Sequence, residues 1–291
     1  MKFKVSEELK PYLFILPLAA LIFIFVFSPI IGTFWTSFSR DIIFLKRKFI
    51  LFENYRELLA DAGFWQSLRF TILFICVSVP LELMLGVLFA VLLNQNIPMR
   101  GLLRASVLIP WAIPSVISGR IWELIYNYNY GLANCVITGL GFSDAPINFL
   151  GTNLAAFAAI VLADVWKTVP FVAIIVLAGL QAIPQDLYSQ AKIDRANFIQ
   201  AFFKITVPLL KPVLVVSLLF RTIDSLRVFD VIYVLTGGGP GGATTSLSLY
   251  AYKYFLGGDF GYGSAVSIAL FIVSLSLSVF YVKCSKFAES L

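Results

Sequence analysis

Apolar residues run in long blocks along this chain, and polar residues gather in short intervals between them. Blocks of about 20 residues, the length that crosses a bilayer as a helix, lie near 12–35, 68–93, 102–126, 153–180, 207–234 and 262–284. They predict an all-α membrane protein of six transmembrane helices in a single transmembrane domain, 1–291. The first block follows Lys2, Lys4 and Lys10, as a secretory signal would. Its apolar part, Tyr12 to Trp35, is too long for one and no small-residue cleavage site closes it, so it reads as a retained span.

A different pattern fills the interval between the fourth and fifth blocks. Phe198, Ala201, Phe202 and Ile205 fall at i, i+3, i+4 and i+7, with Asn197, Gln200 and Lys204 on the opposite face, which marks a short amphipathic helix. Another helix can start at Pro184, with Leu187, Tyr188 and Ala191 clustered, and the chain changes direction near Asp194-Arg195. Two helices too short to span need a surface for their apolar faces, either the membrane interface or a groove on a soluble partner. Prolines at 29, 80, 110, 114 and 170 are expected to break helices inside the membrane, which is tolerated where neighbouring helices or a wet cavity satisfy the freed carbonyls.

Composition narrows the chemistry. The chain is 59% apolar and 13% charged, against about 45–50% and 25% in soluble domains. It has no histidine, which removes histidine-ligated zinc and haem sites and imidazole acid/base catalysis. Cys76, Cys135 and Cys284 are far apart and form no CxxC pair, so neither a disulfide framework nor a thiolate metal site is indicated. The net charge of +6 comes without a basic patch interleaved with aromatics, so nucleic acid is not indicated and the cations report orientation. Eleven of the 22 Lys and Arg, from Lys2, Lys4, Lys10, Arg100 and Arg104 through Lys192–Lys211 to Lys283 and Lys286, fall on one side. Seven fall on the other, six of them in the first loop between Arg40 and Arg69. The positive-inside rule places both termini in the cytoplasm, although Lys46-Arg47-Lys48 alone argues the reverse.

Besides the cations already counted toward orientation, nine charged residues lie within the predicted spans: Glu82, Arg120, Glu123, Asp164, Lys167, Arg221, Asp224, Arg227 and Asp230. Each costs about 2.5–3.5 kcal/mol at a helix centre on insertion scales, so they should face the bundle interior, water or one another. Arg120/Glu123, Arg221/Asp224 and Arg227/Asp230 are three apart, placing opposite charges on adjacent turns. Arg221, Asp224, Ser225 and Val228 share one stripe of the fifth span, as Asp164, Thr168 and Phe171 do on the fourth. These stripes are read either as a polar path lined with hydrogen-bonding groups and an aromatic, or as interhelical ion pairs that hold the bundle together.

The segment IPQDLYSQAKIDRANFIQAFFKITVP, residues 183–208, resembles the EAA loop of the permeases of binding-protein-dependent ABC importers. Its usual Glu-Ala-Ala, three residues, Gly and later Ile-x-x-x-Pro correspond here to Ser189-Gln190-Ala191, then Arg195-Ala196, then, with one residue fewer between, Ile205 to Pro208. Residues 166–184 (WKTVPFVAIIVLAGLQAIP), 229–247 (FDVIYVLTGGGPGGATTSL) and 110–134 are similar to the fourth span, the fifth span with its outer loop, and the third span of carbohydrate permeases. The GGGPGGAT element looks like that of the maltose-type first permease. Two positions depart from the pattern: Ser189 stands for the family's Glu and Arg195 for its Gly. The Gly allows the positive φ of the turn, which costs a residue with a Cβ about 1 kcal/mol or more, so either the turn is rearranged here or Arg195 makes an offsetting contact.

The resemblance implies a type I importer permease fold, a bacterial inner-membrane location and a carrier of sugars or oligosaccharides that is not itself an enzyme. It implies a second homologous permease, an ATPase dimer holding the ATP and magnesium, and an extracytoplasmic binding protein. Coupling to the ATPase is expected over 185–206, with Leu187, Tyr188, Ser189, Ala191, Asp194, Arg195, Ala196 and Phe198 as the docking residues. The substrate path is expected at Asp164, Thr168, Phe171, Arg221, Asp224, Ser225 and Val228. Rival readings are a secondary transporter, for which no internal repeat of the spans is seen, and a membrane enzyme acting on lipid-linked sugars, for which no DxxD pair occurs. GGGPGGATT has Gly237 and Gly242 at the GxxxxG spacing of a P-loop but Ala243-Thr244 in place of Lys-Ser/Thr, so it is read as a turn shaping the outer mouth.

Overall fold

The computed structural model describes residues 10–96 and 98–284. Lys2, Lys4, Lys286 and the side chains of Lys10 and Cys284 lie outside the described residues. In chain order the elements are α1 (Lys10–Ile22), α2 (Ser28–Ser37), β1 (Ser39–Arg40), β2 (Lys48–Phe49), α3 (Glu53–Ala60), α4 (Ala62–Asn94), α5 (Arg100–Ala112) and α6 (Ser115–Ile125). They continue as α7 (Leu132–Gly139), α8 (Asn153–Gln181), α9 (Gln185–Ile193), α10 (Phe198–Ala201), α11 (Val207–Leu226), α12 (Asp230–Leu235), α13 (Leu247–Leu256) and α14 (Phe260–Cys284). π-Helical segments, Phe23–Phe27 and Phe202–Thr206, join α1 to α2 and α10 to α11.

Five of these helical runs are long and apolar enough to cross a membrane, and a sixth is the pair α5 and α6, bent by 92°. The prolines act differently from one another. Pro80 and Pro170 sit inside α4 and α8, which pass through them without interruption, and Pro110 sits inside α5. The break comes at Ile113-Pro114, where Ile113 takes ψ 132, the extended state a following proline ring favours. Pro29 directly follows the π-helical segment, inside a helical run that continues from Phe14 to Ser37. The fifth block, expected over 207–234, is helical from Phe198, so the second short helix of the preceding interval is the first turns of that span. The span then ends at Leu226. Arg227 and Asp230 therefore do not lie on adjacent turns of one helix, and Val228 lies past the helix end.

The described residues form two compact units, one of residues up to Asp61 with 250–271, the other of 62–249 with residues from Ile272 onward. In the first, the Asn54 side-chain amide donates to the carbonyls of Ser37 (2.8 Å) and Ser39 (3.0 Å), fixing the approach to the β ribbon. The Phe260 N–H donates to the Asp41 carbonyl at 2.8 Å. The Asp61 carboxylate accepts from the phenols of Tyr250 and of Tyr262, the latter at 2.6 Å. Burial and that carboxylate raise the Tyr250 phenol well above its ordinary pKa. Two of the cations that argue against the orientation lie near acids, Arg40 beside Glu53 (3.3 Å) and Arg47 beside Asp41 (3.7 Å).

In the second unit α8 packs along α4, with Ala90 and Leu93 against Val172, Val176, Leu177 and Leu180, and with Ile183 and Leu210 closing the cluster. Small residues allow this approach, as in membrane helix pairs generally. A Cβ at Gly86 would stand 2.7 Å from Val172 Cβ, and one at Gly179 would stand 2.9 Å from Val213 Cγ2.

Candidate functional site

The charges expected inside the membrane converge on Arg221, which α11 carries one turn before its end. Its guanidinium donates from Nε to Glu82 Oε2 (2.6 Å) and from Nη2 to Glu82 Oε1 (3.0 Å), a bidentate pair with both side chains buried. Nη2 also reaches Asp164 Oδ2 (3.4 Å) and Ser225 Oγ (3.2 Å), and Nη1 reaches Asp224 Oδ2 (2.5 Å). Arg221 thus ties α4, α8 and α11 together with nearly all its donors engaged. Taking charges this deep out of water is offset only by such complete pairing. Glu82, absent from the expected path residues, is the fully buried partner at the centre of the cluster.

Asp224 is placed otherwise. Its side chain is 50% exposed, bonded to Arg221 on one oxygen and to Arg227 Nη2 (3.1 Å) on the other. The pair expected between Arg227 and Asp230 is replaced by this one, because the helix ends between them. Arg120 and Glu123 pair as their spacing predicts, at 2.5 Å, on the exposed side of α6.

Two adjoining cavities lie beside this cluster. One, of about 280 Å³, is lined by Asp164, Thr168, Arg221, Asp224, Ser225 and Val228, together with Lys167, Arg227 and Asp230. The other, of about 510 Å³, shares Lys167, Thr168, Arg221, Asp224 and Arg227 and adds Phe171, whose ring stacks on Trp111 at 5.7 Å. All seven residues expected along the path line one or the other. The first cavity carries three acids and three cations, so its wall favours neither sign of ligand.

Broken backbone borders these cavities, and its freed groups are satisfied by side chains. Lys167 Nζ donates to the carbonyls of Ile113 (2.7 Å) and Trp111 (3.3 Å), the groups released at the bend between α5 and α6. Ser246 Oγ donates to the Val228 carbonyl (2.7 Å) at the break after α11. Irregular backbone at membrane depth is stable under these two conditions, a lining position and a partner for every freed group.

The glycine-rich loop serves as a turn. Gly237, Gly238, Gly241 and Gly242 all take positive φ, and the Thr244 hydroxyl bonds to Gly239 O and Thr236 Oγ1 beneath them.

In the interval expected to couple to a partner, α9 ends in a Schellman motif. The Ala196 N–H donates to the Ala191 carbonyl (2.9 Å) and the Arg195 N–H to the Lys192 carbonyl (3.1 Å), with Arg195 at φ +56. The turn is therefore kept rather than rearranged, and Arg195 occupies the left-handed position. Asn197 then starts α10 in a capping box with Gln200. Ser189, Asp194, Arg195 and Phe198 are exposed, and Ala191 and Ala196 are half-buried. Leu187 and Tyr188 are half-buried: both pack on the chain's own core, and the Tyr188 hydroxyl meets Thr206 Oγ1 at 3.0 Å. They hold α9 to the bundle. The exposed apolar groups here also include Ile193, Ile199 and Phe203, which the stripe centred on Ala201 and Phe202 did not select.

The sequence profile described as "Binding-protein-dependent transport system inner membrane component" matches residues 82–283. A trehalose/maltose transport system permease protein of Thermococcus litoralis is 54% identical over 287 residues, covering 98% of this chain and 97% of its own. A sulfoquinovosyl glycerol transport system permease protein of Agrobacterium fabrum is 41% identical over 283 residues, 96% of this chain and 91% of its own. Among solved structures, a chain of a bacterial ABC transporter involved in the import of the acidic polysaccharide alginate superposes with a TM-score of 0.83 at 24% identity, over 94% of each chain. The same fold match, TM-score 0.83 at 23% identity over 94% of this chain and 93% of that one, holds for a bacterial alginate ABC transporter in complex with an alginate pentasaccharide-bound periplasmic protein.

Proposed function

Because the chain belongs to the family of inner-membrane components of binding-protein-dependent transport systems, we propose that it is one permease of an ATP-driven importer for a sugar or oligosaccharide. The observation that carries this is the pair of cavities around Asp224, where polar side chains from α8 and α11 meet Phe171 and Trp111 at a break in the spans. Hydroxyl-rich ligands suit such a wall: Asp224, Thr168 and Ser225 bond hydroxyls while an aromatic face covers the ring. Names of relatives support the class, since trehalose/maltose and sulfoquinovosyl glycerol are sugars or sugar derivatives. Arg221, Glu82 and Asp164 hold the helices that form the wall, and Asp224 with Arg227 presents the contact groups.

In this reading a second homologous permease completes the path, and a binding protein delivers the ligand at the side where the glycine-rich turn lies. Both termini are cytoplasmic, as the distribution of Lys and Arg favours. The chain holds no cofactor; ATP and magnesium are bound by an ATPase dimer that receives residues 185–206 and moves them as it closes. Asp194, Arg195, Phe198 and the exposed Ile193 and Ile199 form the docking surface.

Reconstitution with its binding protein and ATPase tests the path. Asp224→Ala is expected to lower sugar uptake at least tenfold while ATPase co-elution is unchanged. Unchanged uptake, or uptake lost only together with ATPase co-elution, would make the cluster a structural ion pair only.

A further inference from the structure

A third cavity, of about 900 Å³, lies away from the path, where the ends of α4 and α8 face α9 and the start of α10. Its size is within the range of small-molecule sites. Arg100 and Lys192 are its charged lining residues, and no carboxylate lines it. Among the described residues neither cation is ion-paired, and the acids of α9 and its C-cap, Asp186 and Asp194, are exposed outside the lining. Arg100 is also the first residue of α5, whose N-cap Met99 makes no side-chain bond, so the helix end adds positive potential to the same wall. Five amide side chains, Asn94, Gln95, Asn96, Gln181 and Gln185, supply both donors and acceptors around the cations. Phe198 and Phe202 give it an aromatic edge.

Cations without counter-charge, amides in number and an aromatic edge together fit one chemistry: an anion on a polyhydroxylated body. We propose that this cavity binds a phosphorylated polyol, either a free sugar phosphate or the phosphorylated polyol headgroup of a lipid, and that the bound ligand clamps α9 to the ends of α4 and α8. Arg100 and Lys192 approach the phosphate from different elements, and the amides take the hydroxyls. Occupancy therefore restrains the segment through which force enters, and it slows import when phosphorylated product or anionic lipid is abundant. That consequence rests on the permease reading; the binding itself does not.

The test uses the full chain in nanodiscs, with glucose 6-phosphate, glucose and phosphatidylglycerol as probes and with Arg100→Gln/Lys192→Gln against the charge-keeping Arg100→Lys/Lys192→Arg. In phosphatidylcholine discs, glucose 6-phosphate binding that Gln substitution weakens at least tenfold, that Lys/Arg exchange retains and that glucose does not compete supports a free sugar phosphate. Phosphatidylglycerol kept through delipidation by the unsubstituted chain and lost from the Gln variant, without glucose 6-phosphate binding, supports the lipid source. If the double Gln variant does not fold, the single substitutions are read in its place. Retention of neither probe, equal retention by chain and Gln variant, or equal competition by glucose overturns the proposal. Probe binding by a chain that captures no ATPase on purification would instead overturn the permease reading and leave the site standing.

Discussion

Arg221 and Asp224 lie three residues apart, yet they respond differently to substitution because one is buried and the other half exposed. Arg221→Met leaves Glu82 and Asp164 as uncompensated buried carboxylates, and breaking such a network costs about 3–5 kcal/mol. It is expected to give a sharply lower melting temperature in detergent. Asp224→Asn, whose side chain is 50% exposed, should cost under about 1 kcal/mol and leave melting nearly unchanged. Equal losses for the two would contradict the hierarchy. Spacing in the sequence exposes the Arg221/Asp224 pair because i and i+3 share a helix face. It has no means of finding Glu82, which lies 139 positions from Arg221 and meets it only through the packing of α4 on α11. Arg195 is the opposite case, since the family's glycine at that place announces a positive φ and the chain adopts it at +56. Arg195→Gly should stabilise the turn by about 1 kcal/mol, read as roughly fivefold slower amide exchange at Ala196.

Among the elements, the apolar blocks were legible because hydropathy is a local property, while the bends were only half legible. Eight prolines fall in the blocks, but Pro80 and Pro170 leave α4 and α8 intact, and the break after Leu226 has neither proline nor glycine within it. What decides is whether another element supplies a partner for the freed carbonyls, as Lys167 does at the bend between α5 and α6 and Ser246 does after α11. Lys167→Met removes that partner and should destabilise by about 1–3 kcal/mol, measured by thermal melting in detergent; a melting curve like that of the unsubstituted chain would sink the assignment. The α4/α8 contact gives a second test. Gly86→Ala drives a methyl into Val172 and should cost about 1–3 kcal/mol, and Val172→Ala in the same chain should restore most of it. Failure of the second substitution to rescue the first would place the cost elsewhere.

At the scale of the whole molecule, the family was legible in residues 110–134, 166–184 and 229–247 as well as in the coupling interval, and the profile match over 82–283 covers all of them. The shape of that interval was less so. Amphipathic periodicity marks Phe198 to Ile205 as a helix, but continuity through the π-helical turn Phe202–Thr206 into the fifth span depends on packing that no local pattern encodes. Continuity matters for the proposed mechanism, in which a push on Phe198 and Ile199 would pass along one continuous helical run to Arg221 and the cavity wall at its far end. The most direct measurement is purification of the chain in mild detergent together with its ATPase, comparing the unsubstituted chain with Phe198→Glu/Ile199→Glu. Stable co-elution of the ATPase with the unsubstituted chain, reduced at least tenfold by the double substitution at unchanged melting temperature, is the predicted result. Equal capture of the ATPase by both chains, or by neither, would contradict the account.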